Sequence, residues 1–174
     1  MQIILSGMPG SGKSTVGKQL AAGLRLPFFD LDDSIEQTAG CSISRIFEQS
    51  GEPYFRQLES DALRAHLQNQ PEGILALGGG TPVFHDNIDR INAAGLHVFL
   101  DVSPALLFSR LRKDADHRPL VQHKSDDALR RYIADTRVAR LPFYLQCHVH
   151  FKQTEAHTDV ASELLNTLAQ LTGH

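Results

Sequence analysis

The feature of this sequence that most constrains its fold is a glycine-rich stretch at residues 7–14, Gly-Met-Pro-Gly-Ser-Gly-Lys-Ser. The stretch matches the pattern G-x-x-x-x-G-K-[ST], follows a short apolar run at residues 3–5 and leads into a helix-forming segment at residues 15–22. A strand, a glycine-rich turn and a helix in this order are the context in which the pattern forms a P-loop. The alternative is a glycine turn that only happens to precede Lys-Ser, and the correct flanks make it the weaker explanation.

The residue types in this stretch suit a bound polyphosphate. Glycines allow the backbone to approach phosphates closely, since a Cβ would clash with them or with the φ angles that the turn needs. The N–H groups of the turn and the positive end of the following helix then face the anion. Lys13 can reach the terminal phosphates and the Ser14 hydroxyl can ligate Mg²⁺. The sequence therefore predicts a site for a nucleoside triphosphate with magnesium.

Length and composition predict a single globular domain over residues 1–174. The net charge of −3 indicates no strongly basic surface, so we expect no nucleic-acid partner. Cys41 and Cys147 lie far apart and form neither a metal-binding nor a disulfide pattern. We expect no signal peptide, because residues 1–6 are too short for its apolar region, and no apolar run in the sequence reaches the roughly 18 residues of a membrane span. We therefore expect a cytoplasmic protein that does not associate with membranes.

Apolar runs separated by helical segments predict a doubly wound, five-stranded parallel sheet of the α/β class. The expected strands are residues 3–5, 27–29, 73–77, 96–101 and 147–151. The expected helices are residues 15–22, 34–70 with breaks near 40–42 and 51–53, 86–94, a segment starting at 104, 126–141 and 159–171.

Polar and glycine residues follow three of the expected strands, at the sheet edge where parallel sheets bind ligands. Asp30 and Asp32 follow the second strand, and Asp33 is typical of a helix cap. Three consecutive glycines at residues 78–80 follow the third strand and indicate a backbone that another group approaches closely. Caps for the next helix and a flexible loop are the alternative explanations.

Two further sets of residues could bind a metal but have simpler explanations. Asp101 ends an apolar strand, as in a Walker B element, and would then be a magnesium ligand. A strand-end cap explains the same residue. His148 and His150 alternate along the last strand, and a solvated strand face explains them better than a metal site.

Arginines outside the P-loop could bind a second anion. Arg56 and Arg140 are candidates because a guanidinium matches a carboxylate with two hydrogen bonds, although a solvated surface position would also explain Arg56. Residues 112–125 are polar, contain a proline and predict a lid, in which Arg118 could stabilise charge during transfer. With two carboxylates able to position Mg²⁺ or accept a hydroxyl proton, this set suits phosphoryl transfer from ATP to a small hydroxy acid.

In their order and spacing these motifs resemble those of the shikimate kinases, a family within the nucleoside-monophosphate-kinase-like group of P-loop kinases. The resemblance covers nearly the whole chain. Its motifs are residues 7–14, Phe29-Asp30-Leu31-Asp32 with Ile35-Glu36, Gly51-Glu52-x-x-Phe55-Arg56-x-x-Glu59, Gly78-Gly79-Gly80, Arg118-Pro119-Leu120 and Arg140-x-Pro142-x-Tyr144.

The resemblance implies a strand order of 2-3-1-4-5, a helical substrate-binding insertion at residues 33–62 and a lid at residues 112–125. It implies a monomer that uses ATP and Mg²⁺ to phosphorylate the 3-hydroxyl of shikimate, a step towards chorismate and the aromatic amino acids. Asp32 would hold the shikimate hydroxyls and act as the catalytic base or beside it. Lys13 and Arg118 would meet the transferring phosphoryl group.

The resemblance also distributes the remaining contacts. The expected ATP-binding residues are Gly10, Ser11, Gly12, Lys13, Ser14, Thr15, Arg110 and Arg118, with Arg112 as an alternative to Arg110. The expected shikimate-binding residues are Asp32, Arg56, Gly78, Gly79, Gly80 and Arg140, of which the two arginines would bind the carboxylate. Ser14, and Asp30 through water, are expected at Mg²⁺.

Two departures from the family pattern and two other functions stand beside this interpretation. The chain has Ser6 where the family commonly has an aliphatic residue, and residues 152–157 lack the proline expected in the adenine-binding loop. A gluconate kinase is an alternative, because gluconate is also a hydroxylated acid. A nucleotide-binding regulator without kinase activity is another, although the residues that such proteins usually lose, Asp32 and Arg56 among them, are present.

Overall fold

The computed structural model describes residues 2–70, 72–113, 124–155 and 159–172. The strands in these ranges are β1 Gln2–Ser6, β2 Phe28–Asp30, β3 Gly73–Ala76, β4 Leu96–Val102 and β5 Val149–Gln153. The α-helices are α1 Lys13–Leu24, α2 Leu31–Ala39, α3 Ile43–Asn69, α4 Asn87–Ala94, α5 Pro104–Lys113, α6 Asp126–Tyr144 and α7 Val160–Thr172, with a 3₁₀ turn at Thr81–Val83. None of the helices in the described ranges is both long enough and apolar enough to span a bilayer.

The strands form one parallel sheet in the order β2-β3-β1-β4-β5, which confirms the predicted order. β1 occupies the centre, between β3 and β4, and all of its residues are buried. A continuous apolar run is what a strand covered on both faces requires. The carboxyl ends of β1, β2 and β3 therefore lie side by side and bring the three predicted site segments to one edge.

Alternate residues of β1 point into different hydrophobic clusters, as the two-residue repeat of a strand dictates. Ile3 and Leu5 pack with α1 and α7. Ile4 packs on the other face with residues of α2 and α3. A third cluster joins the β4 residue Phe99 to α5 and α6, and it contains the fully buried Tyr144. The sheet is thus covered on both sides, and the third cluster also contains Met8 of the P-loop.

Several predicted boundaries differ from those of the structure: α2 begins at Leu31 rather than at residue 34, α6 ends later than residue 141, and β5 begins later than residue 147. α6 continues through Pro142 to Tyr144. A proline in the last turn removes only one helical N–H, and the helix still closes with a hydrogen bond from Leu145 N to Leu141 O at 2.9 Å. β5 starts later than expected, because the N–H of Cys147 donates to Tyr144 O at 3.2 Å and closes a turn. Tyr144 therefore belongs to α6.

A buried polar network accounts for the unusual Ser6. His97 of β4 is fully buried, and its Nε2 lies 2.7 Å from the Ser6 hydroxyl, which is also buried. Its Nδ1 lies 2.8 Å from Asn92 Oδ1, whose amide nitrogen donates to the carbonyl of Gln146. That orientation gives Nδ1 the proton and leaves Nε2 to accept from Ser6. Burial, reinforced by His148, lowers the pKa of His97 to about 4, so the network contains a neutral imidazole.

We predict that His97 makes the protein less stable in mild acid. Its pKa falls on folding from 6.5 to about 4, so the unfolded chain binds more protons between these values. Neutral His97 stabilises the folded state fully at pH values above 6.5, the pKa of the unfolded chain. This stabilisation is lost as the pH falls towards the folded-state pKa, so the free energy of unfolding falls by about 2 kcal/mol between about pH 7 and about pH 5. Urea unfolding at both pH values should show that His97→Gln abolishes this part of the loss.

The matched control is His85→Asn, which changes an exposed histidine and should keep the full loss. An equal loss in the unmodified protein and in His97→Gln would show that His97 is not the group responsible.

Candidate active site

The P-loop leaves β1 and turns back into the first helix as the motif predicts. Gly12 precedes α1 with φ of +89°, a left-handed conformation that favours glycine. α1 has no acidic residue in its first turn, so the positive end of the helix faces the loop without a compensating charge. The ammonium group of Lys13 donates to the carbonyls of Gly7 and Met8 at 3.0 and 3.2 Å and therefore lies over the same loop. This arrangement fits a polyphosphate.

Ser14 and Asp30 form the beginning of a cation site beside the P-loop. The Ser14 hydroxyl donates to Asp30 Oδ2 at 2.6 Å, while Asp30 Oδ1 accepts from the backbone N–H of Asp32 at 3.1 Å. Asp30 rather than Asp33 therefore caps α2, which corrects the predicted cap. Oxygen ligands of this kind suit Mg²⁺, which commonly keeps several waters and takes phosphate oxygens as well. No cluster of three acidic, histidine or cysteine side chains within the described residues forms a metal site by itself.

Arg110, and not the alternative Arg112, contacts the P-loop. One terminal nitrogen of Arg110 donates to the carbonyl of Ser11 at 3.2 Å, and the other donates to the side-chain oxygen of Gln153 at 3.0 Å. Arg112 instead donates to the carbonyl of Lys124 and pairs with Asp126 at the start of α6. The structure thus favours Arg110 as the arginine nearer to a bound nucleotide.

A cavity of about 430 Å³ opens between the P-loop and the first part of α3. It brings together most of the predicted site residues. Those that line it are Gly10, Gly12, Lys13, Ser14, Thr15, Asp30, Asp32, Arg56, Gly78, Gly79, Gly80 and Arg140. Its wall also includes residues to which the sequence interpretation assigned no contact with a ligand, namely Pro9, Ile43, Phe47, Phe55, Leu77 and Tyr132.

Asp32 has the most perturbed carboxyl group in this cavity. Burial is the main cause that raises its pKa to about 6, and the charges of Asp30, Glu59 and Glu36 add to the effect. Lys13 acts in the opposite direction. The carboxylate is therefore mostly ionised at neutral pH and yet basic enough to accept a proton, which are the properties that a general base needs.

Arg56 is buried, with 8% of its surface exposed, so the alternative of a solvated surface arginine is wrong. Its Nε and Nη2 donate to Glu52 Oε1 at 3.1 and 3.0 Å, and its Nη1 donates to Glu59 Oε2 at 2.9 Å. Phe84 lies against the guanidinium at 4.5 Å. Glu59 is 1% exposed, and its other oxygen accepts from the Thr81 hydroxyl at 2.6 Å. Glu59 follows Arg56 by three residues, a spacing that places the two side chains on one face of α3.

The three glycines at residues 78–80 allow four charged side chains to approach one strand end. A Cβ on Gly78 would lie 2.7 Å from Glu59 and 2.8 Å from Asp32. A Cβ on Gly79 would lie 2.9 Å from Arg140, and one on Gly80 would lie 2.6 Å from Arg56. Real Cβ atoms do not come within these distances of other heavy atoms. The segment is therefore a packed close approach rather than a flexible loop, which was the alternative explanation.

Arg140 reaches the glycines from α6. Its positive charge lies near Tyr144 and acts to lower the pKa of that phenol, whose hydroxyl donates to the carbonyl of Gly79. Burial raises the pKa of Tyr144 to about 12, so this phenol stays a donor at neutral pH. Among the residues that the structure describes, Arg140 forms no ion pair. Its position beside Gly79, next to the Arg56 contact at Gly80, lets both arginines reach one small anion.

Two candidate metal-binding features lie away from the cavity wall, and most of a third predicted feature, the lid, is not among the described residues. Arg118 and most of the predicted lid at residues 112–125 lie outside the described residues. Asp101 is not in the cavity wall and instead binds Arg137 and His150. The Nδ1 of His148 accepts from the backbone N–H of His97, so neither strand histidine belongs to a metal cluster within the described ranges.

A P-loop lies beside two arginines and a carboxylate with a raised pKa, at the carboxyl edge of a parallel sheet. This combination defines a small-molecule kinase of the P-loop class that uses ATP.

The chain matches the model of the shikimate kinase family over residues 9–169. It is 41% identical to the shikimate kinase of Bacteroides fragilis over 148 residues, which are 85% of this chain and 82% of that protein. It is 44% identical to the shikimate kinase of a Synechococcus species over 148 residues, 84% of this chain and 75% of that one. The chain belongs to the shikimate kinase family.

Solved structures agree with this membership. The crystal structure of shikimate kinase from Bacteroides thetaiotaomicron superposes with a TM-score of 0.92 at 36% identity and covers 100% of this chain and 99% of that one. Shikimate kinase from Acinetobacter baumannii in complex with shikimate gives a TM-score of 0.85 at 29% identity, with 99% and 93% covered.

We predict that Asp32 titrates near pH 6 in the ligand-free protein and that Asp30 contributes to this value. Asp30→Asn removes a neighbouring negative charge, so it should lower the pKa of Asp32 while burial keeps it above the ordinary 3.8. A pH titration of the side-chain carboxyl carbons by NMR measures both values. Asp89→Asn, an exposed change on α4, is the control and should leave the titration unchanged. Titration of Asp32 near its ordinary value in the unmodified protein would contradict the assignment.

Proposed function

We propose that the protein transfers the γ-phosphoryl group of ATP to the 3-hydroxyl of shikimate, giving shikimate 3-phosphate and ADP, a step towards chorismate and the aromatic amino acids. One observation carries the proposal. Arg56 and Arg140 meet at the adjacent glycines Gly79 and Gly80, in the same cavity as Asp32 and the P-loop. A family relative whose structure holds shikimate supports the choice of acceptor.

Arg56 is prepared to bind the acceptor carboxylate. A guanidinium has five N–H donors. Three of the Arg56 hydrogen bonds go to Glu52 and Glu59. Within the described part of the chain these bonds leave one N–H on each terminal nitrogen, a pair that matches the two oxygens of a carboxylate. Arg140 supplies a second positive charge, so the anion end of the acceptor binds between the two arginines.

Asp32 supplies the base. With its pKa near 6 it is mostly ionised at neutral pH, and it faces the cavity at Gly78. It takes the proton of the 3-hydroxyl as that oxygen bonds to the γ-phosphorus and the bond from phosphorus to the β–γ bridging oxygen breaks. Transfer in line between these oxygens requires positioning and charge stabilisation more than covalent help from the protein.

The P-loop side binds the donor. The backbone of residues 10–15 and the ammonium of Lys13 surround the phosphates, with Arg110 beside the nucleotide. Ser14, and Asp30 through water, would hold Mg²⁺, which when bound would supply positive charge to neutralise the phosphates. We propose from the resemblance that Arg118 meets the transferring group from the lid at residues 112–125.

The arrangement of the chain supports three further proposals. Residues 33–62 act as the acceptor-binding part, because they carry Arg56 and Glu59. The enzyme works as a monomer, since a single chain supplies the cavity and its charged side chains. Because its donor is ATP, we propose the cytoplasm as its compartment.

The activity is tested by measuring ADP release with shikimate, gluconate and AMP in parallel, and by identifying the phosphorylated product with ³¹P NMR. We expect turnover with shikimate and little with the other two acceptors. Gluconate lacks the ring that holds the acceptor hydroxyl and the carboxylate at a fixed separation, and AMP lacks a carboxylate for the two arginines. Turnover with gluconate and none with shikimate would favour a gluconate kinase.

We predict that Arg56→Ala raises the KM for shikimate by a factor of roughly 30 to 150, which corresponds to the loss of about 2–3 kcal/mol from a charge-assisted contact. The KM for ATP should change little, because Arg56 lies on the acceptor side. Arg64→Ala removes an exposed arginine from the same helix and is the matched control. Arg56→Lys retains the charge that Glu59 needs and loses the fork, so a raised shikimate KM should persist there. Equal losses for both substrates would mean that Arg56 is structural.

A further inference from the structure

The position of Arg140 depends on how its helix, α6, is attached to the sheet. Two polar contacts attach this part of α6, one on each side of Arg140. Arg137, three residues earlier, binds Asp101 on β4. Tyr144, four residues later, donates its hydroxyl to Gly79 and stacks on Phe99 with the ring centroids 4.8 Å apart. Residues at these spacings share one face of a helix, so all three side chains point towards the sheet.

The contact at Asp101 uses both carboxylate oxygens. Arg137 Nη2 donates to Oδ1 at 2.8 Å and to Oδ2 at 3.1 Å. His150 of β5 contacts Oδ2 through its Nε2 at 2.9 Å, and its ring stacks on Phe99 at 5.2 Å. The Asp101 side chain is 11% exposed and the Arg137 side chain 27% exposed, so the pair is partly shielded from solvent. Ion pairs of this kind are sensitive to the loss of either partner.

These contacts also exclude the magnesium role that was one alternative for Asp101. Both of its oxygens are occupied by side chains of α6 and β5. The residue lies beside Phe99, on the face of β4 that α6 covers, and not in the cavity wall. The carboxylate at the end of β4 therefore acts on the structure of α6.

We propose that Asp101 and Arg137 are positioning residues for the acceptor: their ion pair fixes the turn of α6 that places Arg140 beside Gly79. The proposal rests on the proposed function, because Arg140 is the residue through which the pair acts. Neither Asp101 nor Arg137 contacts the acceptor. Without the pair, α6 keeps its apolar packing and the Tyr144 contact, but the turn that precedes Arg140 is no longer attached to β4.

The direction in which one substitution changes the KM for the acceptor separates this role from a long-range charge effect. Asp101→Asn removes a negative charge from the surroundings of Arg140. If only the electrostatic field mattered, the substitution would strengthen binding of an anionic acceptor and lower its KM. If the pair positions Arg140, the same substitution weakens the attachment of α6 and raises the KM.

The experiment compares steady-state kinetics of Asp101→Asn, Arg137→Gln and Arg137→Lys in the full-length protein. We expect the first two to raise the KM for shikimate by roughly 3- to 10-fold, a size typical of coupled neighbouring residues. The value of kcat and the KM for ATP should stay within about two-fold of the unmodified protein. Arg137→Lys should restore part of the affinity, because a single nitrogen of Arg137 makes both hydrogen bonds to Asp101. Arg131→Gln, an exposed charge loss on the same helix, is the control and should change nothing.

A double-mutant cycle shows whether the effect passes through Arg140. In an Arg140→Gln background, Arg137→Gln should leave the shikimate KM within about two-fold, because the residue that it positions is already gone. A further rise in that background, or a fall in KM for Asp101→Asn, would overturn the proposal. The proposal would also be overturned if the unmodified protein phosphorylated shikimate and both Arg137→Gln and Asp101→Asn left the shikimate KM unchanged. No turnover of shikimate by the unmodified protein would overturn the proposed function and this inference together.

Discussion

The site depends on the pairing of charges that are buried around three glycines. Arg56 and Glu59 are almost completely enclosed, and an unpaired charge there would cost several kcal/mol. Each neutralises the other, and the glycine backbone lets them lie against the end of β3 together with Asp32 and Arg140. A side chain at any of the three glycine positions would collide with one of these groups. The four charged groups can therefore lie together in the cavity because residues 78–80 have no Cβ.

In the proposed function, this cavity has a donor half and an acceptor half. The donor half is built from backbone: a glycine turn, the N-terminus of α1 and the ammonium of Lys13 over the loop carbonyls. The acceptor half is built from side chains of α2, α3 and α6, of which α6 lies far from the other two in the chain. Asp32 lies between the halves, where burial and neighbouring carboxylates raise its pKa and Lys13 lowers it. In the proposed reaction the two substrates would meet at Asp32, whose pKa is shifted by residues from both halves.

Helix α6 links the acceptor half to the sheet. Arg137, Arg140 and Tyr144 lie on one face, and each has a different contact: Asp101 on β4, the surroundings of Gly79, and the Gly79 carbonyl. Pro142, expected to end the helix, lies within its last turn. If the helix ended before it, Tyr144 would not face the sheet, and the phenol that both Arg140 and Gly79 contact would be elsewhere. The wrong boundary therefore concerned a functional part of the chain.

The sequence by itself determined the P-loop, the parallel sheet and its order, and the identity of most charged groups in the cavity, because each follows from a local pattern or from motifs in a known order. Only the tertiary structure decided that Arg56 is buried, that Glu59 holds it, that Asp30 caps α2 and that Asp101 binds Arg137. Patterns within one element report its periodicity and its ends. They do not report which side chains of distant elements exclude water from one another, and that exclusion sets the burial, the pKa of Asp32 and the meeting of Arg56 with Arg140.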